Sequence, residues 1–373
     1  MSYAVEFFVH DLGDEEIQSV RGTLGSRLLT TGPRVDEFES RFGDLLDCSF
    51  AIGLSSCTAA LHLALEALGV GPGDEVLVPD ITFAATALAV LHTGATPVLV
   101  DVCESNGLIN LELIREAHNA RTKAVIPVHL YGDMVDMVRL ASIAKELDLV
   151  IVEDAAHCIE GMRDGIQPGQ LSDAACFSFF ATKNMTCGEG GALVTNDEAL
   201  AGAVRKSRTH GMDKVAADRL RDGYSPWDIA IPGWKYNMSD IQASILIPQF
   251  DRIWHNLRRR EKIAAVYDQL LGRHGQIRLP KRTAERHALH LYTVQLAPAL
   301  RAEVSAQLRK DRIGFTVNYA PLHTLSAFKD FRRVPDNLPV ASRFGSSTLS
   351  LPFYPGLPHT DAIQVARSIL SVL

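Results

Sequence analysis

Between residues 50 and 195 one pattern repeats: a short apolar run, then a stretch with apolar residues three and four positions apart, then another short run. Seven runs read as strands: FAIGL (50–54), EVLVP (75–79), TPVLVDV (96–102), KAVIPV (123–128), LVIVED (149–154), ACFSFF (175–180) and GALVT (191–195). Helical patterns such as TAALHLALEALG (58–69) and DMVRLASIAKELD (136–148) separate them, and the first is stopped by GVGPGDE. Strand, helix, strand in this order is the signature of βαβ units around a mostly parallel, here seven-stranded, sheet. The fold class is α/β.

Past about residue 245 the pattern changes. A long helix over 254–272 leads into strand-like pieces at 290–296 and 313–319, and an amphipathic helix that starts at the capping Thr360 closes the chain. The basic run Arg258 to Arg260 reads as the solvated face of the long helix. A length of 373 residues suits two domains. The expected division is a large α/β domain over 1–248 and a smaller C-terminal α+β domain over 249–373.

Composition sets limits on function. Hydrophobic residues at 47% and charged residues at 22% suit a globular chain, and a net charge of −7 offers no basic field for nucleic acid. The start MSYAVEFFVHDLGDEE lacks the features of a signal peptide, and no run approaches the ~18 apolar residues of a membrane helix. A cytoplasmic protein is expected. Cys48, Cys57, Cys103, Cys158, Cys176 and Cys187 show no metal-ligand spacing, which fits reduced thiols. His157 and Cys158 would face opposite sides of a strand, so no metal site is expected there.

Ligands of a parallel sheet gather at the carboxyl ends of its strands. Three ends carry polar groups. FAIGLSSCTAAL turns through small residues into a helix, where unpaired backbone N–H groups suit an anion, although Ser56 or Thr58 could equally be a plain N-cap. LVIVEDAAH delivers Asp154 and His157, and an acid behind three aliphatic residues needs either an arginine or another proton-bearing partner. SFFATKNMTCGEGG delivers Ser178 and Lys183 and then three glycines. An amine near a phosphate turn, a buried acid and aromatic residues is what a Schiff base with an aldehyde cofactor requires. The combination describes pyridoxal phosphate better than a nucleotide.

The sequence also resembles the DegT-type sugar aminotransferases, which are fold type I pyridoxal-phosphate enzymes. The resemblance rests on SSCTAALHLAL, GPGDEVLVPDITFAATALAV, VEDAAH, SFFATKNMTCGEGGALVT, HGM at 210–212, GWKYNMSDIQAS and LSLPFYPGL, in the family's order along most of the chain. It implies that Lys183 bonds the cofactor aldehyde and moves the proton, and that Asp154 keeps the pyridine nitrogen protonated. His157 would stand near the phenolic oxygen and Phe83 against the ring. Cys57, Thr58 and Ser178 would contact the phosphate. Lys235 and Asn237 would reach phosphate or substrate from the second subunit of a homodimer with shared active sites. Cys57 stands where many members have glycine, and a helix N-terminus could lower its pKa. The implied reaction moves an amino group, from glutamate, to a keto-sugar linked to a nucleoside diphosphate. A cyclitol (inosose) aminotransferase and a non-catalytic pyridoxal-phosphate-binding regulator are the alternatives.

Overall fold

The computed structural model describes residues 3–213 and 226–373. Each of the seven expected runs forms a strand: β1 (Phe50–Leu54), β2 (Glu75–Pro79), β3 (Thr96–Val100), β4 (Thr122–Val125), β5 (Val150–Asp154), β6 (Ala174–Ser178) and β7 (Gly191–Thr195). They lie in the order β1-β7-β6-β5-β4-β2-β3. β7 runs antiparallel to both β1 and β6, and the other neighbours are parallel. Every residue of β2, β6 and β7 is buried, so these strands read as continuous apolar runs rather than as an alternation. Helices such as Cys57–Ala67, Ala85–His92 and Met137–Leu147 supply that cover. Against the start of the sheet, Phe42 of helix Pro33–Leu46 packs edge-on against Phe177 and Phe179 at 5.0 and 5.5 Å.

The C-terminal part builds its own core. Helices Ile253–Leu271, Pro298–Lys310 and His359–Leu370 cover an antiparallel pair of strands, β8 (Tyr292–Gln295) and β10 (Thr348–Leu351). Between them in sequence, β9 (Arg333–Val334) leaves this unit and joins the main sheet beside β3, so that sheet has eight strands rather than seven. Two residues are too few to show a period, which is why the eighth strand leaves no mark in the sequence.

The chain crosses the expected boundary at 248/249 in both directions. Val5 belongs to the C-terminal core and bridges Ile313, while Leu322, Phe328, Leu338 and Phe344 belong to the core of the large sheet. Three local expectations also change. The run 313–319 is not a strand; Ile313 and Thr316 make isolated bridges to Val5 and Ser350. The last helix starts at His359 behind Pro358, whose ring fixes a φ of −61° outside the helix, and not behind Thr360. In the basic run, Arg258 is exposed but Arg260 is buried and ion-paired with Glu160.

Candidate active site

A cavity of about 460 Å³ opens at the carboxyl ends of β5 and β6. Ser56, Cys57, Thr58, Phe83, Asp154, His157, Ser178 and Lys183 all line it, so chain segments more than 120 residues apart meet in one place.

The turn from β1 into helix Cys57–Ala67 is the anion-ready end. Ser56 is the N-cap and its hydroxyl accepts from the Ala59 N–H at 3.1 Å. The first intrahelical bond runs from Ala60 N–H to the Ser56 carbonyl, leaving the N–H groups of Cys57 and Thr58 ahead of it. Gly191 makes the packing possible: a Cβ there would lie 2.2 Å from Ser56 C and 2.4 Å from Cys57 N, both backbone atoms. Gly190 is confined as well, since its Cβ would meet Cys187 Sγ at 2.5 Å. The glycines after Lys183 therefore let the start of β7 run directly against the helix N-terminus. Cys57 is buried beside Asp154, and desolvation followed by that charge raises its thiol well above the ordinary range. Burial outweighs the helix N-terminus here, and Cys57 is not an activated thiolate.

Asp154 ends β5 and is almost wholly buried. Its Oδ2 accepts from the Thr86 hydroxyl at 2.7 Å and its Oδ1 from the Ala156 N–H at 3.1 Å. No arginine pairs with it among the described residues, which disposes of one of the two sequence readings. Ser178, at the end of β6, accepts from the Phe180 N–H at 3.3 Å. Lys183 follows in a turn closed by its own N–H on the Phe180 carbonyl at 2.9 Å. Burial lowers its amine from 10.5 to about 8, against the opposing pull of Asp154 and Cys57. A sizeable fraction of the amine is neutral near physiological pH.

His157 is buried and its Nδ1 accepts from the Tyr131 backbone N–H at 3.2 Å, so its proton sits on Nε2, 3.1 Å from the Tyr319 hydroxyl. Desolvation and, next, Lys183 push its pKa well below the usual value. Phe83 stands on the cavity wall with 62% of its surface exposed and 5.9 Å from the Tyr319 ring, available to stack on a ligand. Lys235 and Asn237 do not enter the cavity of their own chain. Lys235 Nζ donates to Asn237 Oδ1 at 2.7 Å, and Asn237 Nδ2 donates to the hydroxyls of Thr30 and Thr31 at 3.0 and 3.1 Å.

Three further residues belong to the site: Thr86, which holds Asp154, and Tyr319 and His290, which line the wall. His290 lay at the start of the expected strand 290–296 and Tyr319 at the end of the expected strand 313–319; neither carried a local signal for the site, because each reaches the cavity only through the packing of the C-terminal unit.

These groups suit pyridoxal phosphate. The helix N-terminus matches its phosphate, Asp154 its ring nitrogen, Phe83 its ring and Lys183 its aldehyde. The comparisons with known proteins point the same way. A family model described as the DegT/DnrJ/EryC1/StrS aminotransferase family matches residues 10–370. The spore coat polysaccharide biosynthesis protein SpsC of Bacillus subtilis (strain 168) is 38% identical over 370 residues, covering 97% of this chain and 95% of its own. DesV of S. venezuelae, solved with a ketimine intermediate, superposes with a TM-score of 0.89 at 34% identity, over 96% of this chain and 94% of that one. Spr1654 of Streptococcus pneumoniae in its PLP form superposes with a TM-score of 0.90 at 30% identity, over 100% and 98%.

Proposed function

Because the chain belongs to the DegT/DnrJ/EryC1/StrS aminotransferase family, we propose that it transfers the amino group of glutamate to the ketone of a sugar carried on a nucleoside diphosphate. It is a pyridoxal-phosphate-dependent sugar aminotransferase; the donor, the nucleotide carrier and the residue roles below are the proposal. One observation carries it: a single cavity joins a buried carboxylate, a lysine with a depressed pKa and a free helix N-terminus.

Bound pyridoxal phosphate supplies the electron sink that lets a proton leave the carbon bearing nitrogen. The chain's own groups do the rest. The N–H groups of Cys57 and Thr58, with the hydroxyls of Thr58 and Ser178, bind the phosphate. Asp154, oriented by Thr86, holds a proton on the ring nitrogen and so keeps the ring electron-poor. Phe83 packs on the ring face, and His157 offers Nε2–H to the ring's phenolic oxygen. Lys183 Nζ takes the proton from the substrate carbon and returns it in the second half-reaction. An amine with a pKa near 8 suits both directions, since its free form is reached more readily near neutral pH than that of an ordinary lysine and its ammonium gives the proton back more easily.

A second copy of the chain completes the site in this reading, with Lys235 and Asn237 reaching phosphate or sugar. Phe180, Trp227, Ile229 and Trp234 are large apolar side chains exposed on the isolated chain, which supports a covered face. No helix among the described residues is long and apolar enough to cross a membrane, and a cytoplasmic setting belongs to the same proposal.

The test is spectroscopic and then chemical. The purified protein with cofactor should be yellow, glutamate should bleach it, and Lys183→Ala should remove the lysine-dependent absorption. A panel of keto-sugar nucleotides and inososes then identifies the acceptor. Turnover of an inosose alone would overturn the nucleotide-sugar reading.

A further inference from the structure

Asp80 directly follows β2, three residues before Phe83, and its surface is wholly buried. Its partners come from the C-terminal part of the chain. The Asp80 carbonyl accepts from the Leu322 N–H at 2.8 Å, Oδ1 accepts from the His323 N–H at 2.9 Å, and Oδ2 lies 2.6 Å from His323 Nδ1. A carboxylate oxygen only accepts, so His323 Nδ1 carries a proton. Burial pushes the Asp80 carboxyl up, and the two hydrogen bonds from His323 pull it back. On the far side of the ring, Nε2 lies 3.4 Å from the Ser342 hydroxyl, which itself donates to the Leu338 carbonyl at 2.9 Å. The order Asp, His, Ser is here a held imidazole and not an activated serine.

Only Ala320 and Pro321 separate this anchor from Tyr319 on the cavity wall, and they leave little slack. The Pro321 ring fixes φ at −58° and packs on helix Pro339–Ser347, where a Cβ on Gly345 would meet Pro321 Cδ at 2.5 Å. From the other side the Tyr131 hydroxyl donates to the Asn318 carbonyl, and the Tyr131 N–H is the donor that sets the His157 tautomer. Tyr319 is thus held at both ends, with its hydroxyl 3.1 Å from His157 Nε2 and its ring 5.9 Å from that of Phe83. Asp80 stands at the root of two facing walls. It reaches one through Ile81 and Thr82 to Phe83, and the other through His323 to Tyr319.

We propose that Asp80 is a positioning residue of the active site: through His323 it ties the segment carrying Tyr319 to the strand end carrying Phe83, and so holds the Tyr319 hydroxyl on His157. The bearing on catalysis rests on the reading that His157 and Phe83 face the bound cofactor. The hydrogen bonds themselves do not.

The test uses the full-length chain without cofactor, and then the loaded enzyme. Nitration by tetranitromethane, read by mass spectrometry, reports how often each tyrosine is released: Tyr319 is the probe, exposed Tyr3 checks the reagent, and buried Tyr267 and Tyr292 report general loosening. Asp80→Ala and His323→Ala should each raise Tyr319 nitration about tenfold, the effect of a lost charge-assisted hydrogen bond, with Tyr267 and Tyr292 unchanged. Asp80→Asn keeps an acceptor for the His323 N–H and offers a donor to Nδ1, and should stay within about twofold of the wild type. Tyr319 nitration that is unchanged, or that rises only in step with Tyr267 and Tyr292, would overturn the proposal. His323 keeps 14% of its side chain exposed, so His323→Ala serves if Asp80→Ala does not fold. In the loaded enzyme, His323→Ala should lower kcat/KM, and His323→Ala with Tyr319→Phe should lower it no further than Tyr319→Phe alone. Additive losses would count against an action through Tyr319. A chain with selective release of Tyr319 that binds no cofactor would sink the functional reading and leave the tie between Asp80 and Tyr319 standing.

Discussion

Lys183 shows how one side chain can be costly to the fold and necessary to the site. Its amine is buried enough to fall from 10.5 to about 8. Between those values the unfolded chain binds a proton that the folded chain does not, so this group makes stability rise with pH from about 8 to 10.5. Below 8 both states are protonated and the burial penalty is fully present. Lys183→Met should therefore be more stable than the wild type at pH 7, by about 1–2 kcal/mol after allowing for solvent near the amine. The difference should shrink as pH rises through that window in urea unfolding of the cofactor-free protein. A gap independent of pH would mean that Lys183 is not strained by burial. Asp154 differs, because Thr86 and the Ala156 N–H satisfy both of its oxygens before any ligand arrives.

At the scale of elements, the site depends on how closely β7 approaches helix Cys57–Ala67. Gly191 pairs with Leu54 on one side and with Ser178 on the other, and its Cα faces the Ser56–Cys57 peptide. A methyl group there meets backbone rather than a movable side chain. Gly191→Ala should cost about 2–3 kcal/mol in urea or thermal unfolding. It should also weaken cofactor binding, because the helix N-terminus has to move. Gly188→Ala, with φ of +85° but open space around it, should leave cofactor affinity nearly unchanged and lose only the smaller cost of backbone strain. If both variants bound cofactor like the wild type, the turn would not be the phosphate site.

The whole molecule decides which residues share the cavity. Within one chain Lys235 and Asn237 bond to each other and to Thr30 and Thr31, away from the cavity. If a second copy brings them to the site, then co-expressed Lys183→Ala and Lys235→Ala chains should complement. Each homodimer would have two damaged sites, and the mixed dimer would have one intact site in two. Activity of the purified mixed dimer no higher than that of either parent would exclude shared sites. The sequence alone determined the seven main strands, because fully buried strands must be apolar along their whole length and their connections must be long enough to cross over. It also placed Lys183, Asp154 and the Ser56–Thr58 turn, since each sits at a strand end that local pattern marks. Only the tertiary structure decided that β9 joins the sheet, that Val5 packs with the C-terminal unit, that Arg260 is buried, and that Tyr319 and His290 wall the cavity. Those outcomes come from contacts between segments far apart in the chain, and a contact of that kind leaves no period, cap or turn at either end for the sequence to show.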